Sequence, residues 1–200
     1  MGSECKGAPR LWRPARTRIE AYCRKEPIAM DAPVIETQRL ILRGHRLEDF
    51  DALAALWADP QVARFIMGKP ATREESWARL LKYAGHWRLL GFGFWAVELK
   101  AGGSFIGDVG FANWHRQITP SLDAMPEAGW VFSSTTHGRG MASEAVQAAL
   151  AWADRHFAGG TTTCIVGVDN VASIRVAQKT GYREYARSEF KDKQVIQFRR

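Results

Sequence analysis

Three observations in this 200-residue chain predict an α/β domain built on a mixed sheet. Short alternating or β-branched segments recur along it. Segments with apolar residues at helical spacing fall between them, and glycine- or proline-marked turns separate the two kinds. The order reads strand, helix, helix, three strands, helix, strand, helix and two strands.

Ile35 to Arg43 (IETQRLILR) alternates and reads as the first strand. Leu47 to Ala58 carries Phe50, Leu53, Leu56 and Trp57 at helical spacing, with Glu48 and Asp49 suiting the helix dipole in its first turn. Asp59-Pro60 is expected to stop that helix. Thr72 and Glu75 form a capping-box pattern ahead of a second helix, whose inward side is expected to carry Trp77, Leu80, Leu81, Ala84 and Trp87. Gly93–Lys100 and Ser104–Phe111 flank a glycine turn and predict a hairpin. A loop through Pro120 and Pro126 leads to a strand at Glu127–Phe132. A helix then runs from about Met141 to Phe157, and Thr162–Val168 is a buried strand. Val171–Lys179 is a short helix closed by Gly181, and the tail from Arg183 holds a last pair of strands ending at Val195–Phe198.

Composition sets limits on function. Hydrophobic residues are 46% and charged residues 24%, an ordinary globular balance that excludes a disordered or collagen-like chain. A run of roughly 18 apolar residues, the mark of a membrane-spanning helix, is absent. The three cysteines (Cys5, Cys23, Cys164) form no CxxC pair, so neither a metal site nor a disulfide framework is expected and a reducing, cytoplasmic setting is the simpler reading. The net charge of +7 is uneven: residues 1–29 hold seven Lys/Arg against three Asp/Glu. This predicts a basic, poorly ordered extension over 1–29, with Arg10, Arg13, Arg16 and Arg18, ahead of a single domain over 30–200. Met30 is a second candidate start. A nucleic-acid-binding role is not favoured by the mildly basic remainder, whereas an anionic cofactor is compatible with it. The sequence leaves monomer and homodimer equally open.

The most informative stretch is EAGWVFSSTTHGRGMASEA, from Glu127 to Ala145. A strand passes through a small-residue loop into a helix, with Gly138 and Gly140 flanking Arg139. The first N–H groups of a helix lack internal partners and carry the positive end of its dipole, and glycine lets a bulky anion approach. The turn therefore suits a phosphate or pyrophosphate. An ordinary helix start with flexible glycines is the competing reading. It is not a Walker loop, and as a dinucleotide fingerprint it lacks the third glycine, Ser143 standing there.

With these residues in view, the chain from about Val34 to Phe198 resembles the GNAT acetyltransferase superfamily, in particular the branch of the Rim-type ribosomal-protein N-terminal acetyltransferases. IETQRLILR resembles the opening strand, GFGFWAVE and FIGDVGF the central hairpin, and EAGWVF, HGRGMASEA and DNVASIRVAQKTGYR the later motifs. The resemblance implies a mostly antiparallel sheet, flanked by helices, in which two parallel neighbours splay apart. It implies acetyl-CoA as co-substrate and no metal. The pantetheine arm would enter the gap beside Trp130, Val131 and Phe132, and the pyrophosphate would rest on the turn His137, Gly138, Arg139, Gly140, Met141 and Ala142. Asn170 would help position cofactor and substrate, though an N-cap role for the next helix serves equally. Lys179-Thr180-Gly181-Tyr182 matches a mostly structural helix end.

The implied activity is direct transfer of acetyl to a primary amine on a protein N-terminus or a small molecule. The alternative is a non-catalytic acyl-CoA-binding sensor or regulatory module. Glu127 is the candidate base, matching the acidic residue of an E-x-G-[YW] motif, with substrate orientation as its other reading; His115 and His137 are lesser candidates. The N–H of Val131 is a candidate for polarising the thioester carbonyl. Two positions depart from the superfamily pattern. Thr135 stands where many members have Gln or Arg, and Ala177 replaces the tyrosine that many use as an acid, so a water or another tyrosine must serve if an acid is needed. The amine must be neutral to attack. At pH 7 that costs roughly 1.4 kcal/mol for an α-amine and roughly 4.6 kcal/mol for lysine.

Overall fold

The computed structural model describes residues 31–66, 68–123 and 125–200. The expected extension over 1–29, Met30, Cys5 and Cys23 lie outside the described residues.

The opening segment is two strands, not one: β1 (Ile35–Glu36) and β2 (Leu40–Arg43) form an antiparallel hairpin with Ile35 opposite Leu42. Thr37 makes the reversal. Its N–H donates to the Leu40 carbonyl at 3.0 Å and its Oγ1 accepts from Leu40 N–H at 2.9 Å, the local side-chain bonding that lets threonine replace a ladder. Both arms alternate, so the pattern alone hides the turn.

Helix α1 (Phe50–Ala58) ends as expected, but Pro60 begins another helix, α2 (Pro60–Ile66). Proline fits a first helical position because the N–H it lacks has no intrahelical partner there. Asp59 caps the start, its Oδ1 accepting from Gln61 N–H at 2.8 Å. Helix α3 (Arg73–Leu90) opens on the expected capping box: Glu75 N–H donates to Thr72 Oγ1 at 3.1 Å, and Thr72 N–H to Glu75 Oε2 at 2.8 Å. Its inward stripe is Ser76, Leu80, Tyr83 and Trp87, one residue round from the expected one. Trp77 and Leu81 are 40% and 52% exposed, and Trp77 instead meets Phe50 edge-on at the surface, 5.1 Å between ring centres.

β3 (Phe94–Leu99), β4 (Phe105–Ala112), β5 (Glu127–Phe132), β6 (Thr163–Gly167), β7 (Arg183–Phe190) and β8 (Lys193–Arg199) complete one sheet in the order β1-β2-β3-β4-β5-β6-β8-β7. Every neighbouring pair is antiparallel except β5 and β6. These two are parallel and share a single register pair, Glu127 opposite Thr163. Beyond it they part, which gives the splayed gap that the resemblance implies. Helix α4 (Met141–His156) and helix α5 (Val171–Lys179) belong to one face of the sheet, where Trp95, Phe111, Phe132, Ala149, Phe157 and Ala177 are buried together. The other face is covered by α1 and α3 through Leu53, Trp57, Leu80, Tyr83 and Phe94, and Val131 points into that second cluster. No helix among the described residues is long and apolar enough to cross a membrane.

Candidate active site

The site begins where β5 leaves the sheet. A single 3-10 turn (Ser134–Thr136) leads into the glycine turn and then α4. Gly138 and Gly140 adopt φ of 74° and 77°, the left-handed region where a Cβ is penalised. Gly140 is the residue immediately before the helix. From Gly138 through Ser143, six consecutive backbone N–H groups have no hydrogen-bond acceptor among the described residues; the first helical bond is Glu144 N–H to the Gly140 carbonyl at 3.1 Å. These donors sit at the positive end of a 16-residue helix.

Arg39, on the β1–β2 turn, holds this cradle from behind. Its Nη1 donates to the Arg139 carbonyl at 3.0 Å. In a trans peptide the C=O and N–H point oppositely, so the N–H of Gly140 is turned away from Arg39 and outward. Glu144 anchors Arg39 in turn: it accepts from Arg39 N–H at 2.9 Å, from Arg39 Nε at 2.7 Å and from the Thr37 hydroxyl at 2.6 Å. Burial alone would raise the Glu144 carboxyl, but the bonds from Thr37 and Arg39 outweigh it and hold the group below the usual carboxylate range. Sequence reasoning missed Arg39, Thr37 and Glu144. The partners are more than a hundred positions apart, and no spacing rule connects them.

Along β5, Ser133 N–H donates to the Ile106 carbonyl on the β4 side at 2.8 Å, while Thr163 N–H on the β6 side bonds the Pro126 carbonyl at 3.0 Å. Successive residues address opposite edges, and the register with β4 is unbroken. Val131 N–H therefore faces β4, and the backbone groups of Trp130 and Phe132 face the gap. The donor expected from Val131 is thus directed into the ladder. The Phe132 carbonyl already accepts a bond from the His137 ring, whose Nε2 lies 3.1 Å away. A carbonyl can only accept, so Nε2 carries a proton, and that nitrogen of His137 is no base while the bond holds.

At the other end of β5, Glu127 is buried, at 6% exposure. Arg116 grips both its oxygens, Nε to Oε2 at 2.7 Å and Nη2 to Oε1 at 2.9 Å. Burial pushes the Glu127 carboxyl up and Arg116 pulls it back only in part, leaving it above the ordinary glutamate value. Each oxygen keeps a lone pair beyond those given to Arg116. A shallow depression is lined by Glu127, Arg116, Trp114, His115, Leu122 and Met125, among others. Trp114, His115 and Arg116 reach it from the loop between β4 and β5. His115 is exposed, with Nδ1 3.7 Å from Asp123.

Asn170 caps α5, its Oδ1 accepting from Ser173 N–H at 3.1 Å. Ala177 is fully buried, so that position offers no acid. Tyr182 is buried with its hydroxyl 2.9 Å from Thr162 Oγ1, in keeping with a structural helix end. Tyr185 donates to Gln197 Oε1 at 2.6 Å.

A family model described as the acetyltransferase (GNAT) domain matches residues 39–183. A protein of Bordetella pertussis described as a GNAT-family acetyltransferase is similar in structure, with a TM-score of 0.76 and 29% identity, over 84% of this chain and 99% of that one. An uncharacterized N-acetyltransferase of Bacillus subtilis, YnaD, is 28% identical over 149 residues, covering 74% of this chain and 82% of its own length. The fold is also that of RimL, the ribosomal L7/L12 α-N-protein acetyltransferase solved in complex with coenzyme A, with a TM-score of 0.68 at 17% identity over 84% of this chain and 97% of that one.

Proposed function

We propose, for a chain that belongs to the GNAT acetyltransferase family and is an N-acetyltransferase, that the donor is acetyl-CoA and the acceptor a primary amine taken from the Glu127 side of β5. The observation that carries this reading is the run of six N–H groups without acceptors from Gly138 to Ser143, placed beside a gap between parallel strands. That arrangement fits a pyrophosphate followed by an extended arm, and the coenzyme A complex of the RimL structure supports the same donor class.

Acetyl-CoA supplies an acetyl thioester. The residues of this chain do the rest. Gly138, Arg139, Gly140, Met141 and Ala142 hold the phosphates, through backbone N–H groups worth roughly 1.5–3 kcal/mol each against a charged oxygen; the His137 N–H, expected among them, is spent on the Ser134 carbonyl at 3.2 Å. The gap-facing backbone of Trp130 and Phe132 aligns the pantetheine arm beside Val131, and Asn170, just beyond the end of β6, meets it from the other side of the gap. The Trp130 N–H, which faces the gap, polarises the thioester carbonyl in this reading. Glu127 takes the ammonium proton, directly or through a water, using the lone pairs that Arg116 leaves free. Its raised pKa makes it a stronger base than an exposed carboxylate. The neutral amine nitrogen then bonds to the acetyl carbon, the carbon–sulfur bond breaks, and the second proton shed by the nitrogen passes by way of water to the departing thiolate.

Calorimetric titration of the full chain with acetyl-CoA tests this first. Micromolar binding that is lost with dephosphorylated pantetheine analogues, together with amine-dependent release of free thiol, is the expected result. A folded chain that binds no acetyl-CoA overturns it.

A further inference from the structure

Resting on that reading, the acceptor depression says more about which amine enters. Arg116 spends Nε and Nη2 on Glu127, and both N–H groups of its Nη1 lack an acceptor among the described residues. The guanidinium is not free to swing. Its central carbon lies 4.9 Å from the Phe190 ring centre and 5.7 Å from that of Trp114, and its side chain is 24% exposed against 7% for Glu127. The depression therefore presents a fixed pair of opposite charges side by side: a carboxylate set deep at the head of β5, and an open cationic edge nearer the surface. The remaining wall is mixed: Ala112, Trp114, Leu122 and Met125 give it an apolar side, and Asn113, His115 and Asp123 a polar one, with the Asp123 carboxylate 3.7 Å from His115 Nδ1.

From this pattern we infer that the acceptor is a free α-amino acid with an apolar side chain, its ammonium group toward Glu127 and its carboxylate on Arg116 Nη1. In such a molecule the ammonium and carboxylate are one carbon apart, and their order mirrors the Glu127–Arg116 pair. A polyamine would bring a second cation against Arg116. A peptide N-terminus would offer Nη1 a neutral amide oxygen where a carboxylate makes the stronger, two-pronged bond. In the transfer, the amine nitrogen forms an amide with the acetyl group, its proton passes to Glu127, and sulfur leaves; the carboxylate takes no part in the bonding change and serves to orient.

The experiment uses the full chain, acetyl-CoA and matched acceptors: L-leucine, L-methionine and L-phenylalanine against L-leucinamide, isoamylamine, a leucine-initiated peptide and spermidine, read as thiol release. The expected result is that at least one of the three amino acids is turned over. For L-leucine, kcat/KM should exceed that of L-leucinamide and of isoamylamine by roughly tenfold or more, because a site built around a charged partner is left with it unpaired when the substrate lacks that group. Arg116→Lys keeps a charge beside Glu127 but loses the planar fork. It should raise KM for the amino acid and shrink the preference over the amide to a few-fold, with calorimetric acetyl-CoA affinity unchanged. Equal or better turnover of leucinamide, isoamylamine, the peptide or spermidine overturns the inference, and so does an Arg116→Lys enzyme that keeps the full preference. Acetyl-CoA binding without turnover of any of the three amino acids also overturns it while leaving the donor reading intact, whereas no acetyl-CoA binding overturns both. The wild-type comparison decides the question even if the variant does not fold.

Discussion

The two ends of β5 offer different means of recognition. At its C-terminal end the cradle is backbone: six N–H groups made available by a turn that needs two left-handed glycines. At its N-terminal end the depression proposed for the acceptor is side chain: one buried carboxylate, one arginine fork and a wall of mixed polarity drawn largely from an irregular loop. A backbone site is tied to turn geometry and so constrains which residues can stand there. A side-chain site constrains only chemistry, and the same loop with other residues would take another acceptor. The donor end is accordingly the one a family can share, and the acceptor end is where its members differ.

The sharpest way to break the donor end is Gly140→Asp. The residue sits at φ 77°, and an added Cβ would lie 3.6 Å from Arg39 Nη2, so the substitution strains the turn and brings a carboxylate to the cradle proposed for phosphate. Acetyl-CoA binding should fall below calorimetric detection. Gly140→Ala adds the strain without the charge and should cost about 1 kcal/mol, roughly fivefold in affinity. Equal losses from both would mean that turn shape alone, and not the electrostatics of the cradle, governs binding.

At the acceptor end the next largest effect is expected from Glu127→Gln. Acetyl-CoA affinity should stay near wild type while turnover drops roughly a hundredfold or more, the usual scale for a general base. The sign of the pH dependence follows from burial. Glu127 is held above the ordinary glutamate value near ~4.3, and only its ionised form accepts a proton, so wild-type kcat should fall as pH drops through that raised pKa. The variant should lack this acid limb. A variant with unchanged turnover at every pH would remove Glu127 from the base role.

Arg39→Gln sharpens the comparison from behind the cradle. Losing the bond to the Arg139 carbonyl frees the peptide that aims Gly140 N–H outward. The Arg39–Glu144 pair is partly exposed, 41% and 18% for the two side chains, so its loss is screened and worth about 1 kcal/mol or less. KM for acetyl-CoA should rise by up to roughly fivefold with kcat and amine KM little changed. An effect on the amine KM instead would place Arg39 in the wrong half of the site.

What could be read from the sequence follows the same division. Gly138, Gly140 and the helix from Met141 form a local pattern, so the glycine turn into α4 was legible, as were the capping box at Thr72 and Glu75 and the final hairpin. The Thr37 reversal was not, because a strand that folds back keeps its alternation. Nor was the start of α2 at Pro60, since Asp-Pro reads as a stop from one side and a cap from the other. The α3 stripe was displaced because Trp77 and Leu81 are apolar yet lie on the outer side, where Trp77 meets Phe50. Arg116 was one more residue of an irregular loop. Its grip on Glu127 spans eleven positions with no helix or strand to fix the geometry in advance. The Arg39–Glu144 brace spans 105.

The smallest effect is expected at Asn170, where two roles overlap. The side-chain oxygen caps α5 through Ser173 N–H, and Asn170→Ala should remove about 1 kcal/mol of stability, read as a lowered Tm. Asn170→Asp keeps the oxygen and puts a negative charge at a helix N-terminus, where it is favourable. It loses only the Nδ2 donor, for which no described residue is an acceptor. If Asn170 also touches the donor, the aspartate variant should hold its Tm while its KM for acetyl-CoA rises a few-fold, through the missing donor and the added repulsion of phosphate. If Tm and KM both stay at wild-type values, the residue is a cap alone. The cradle would then end with the first turn of α4, and the strand gap beside Trp130 and Phe132 would carry all further contact with the donor.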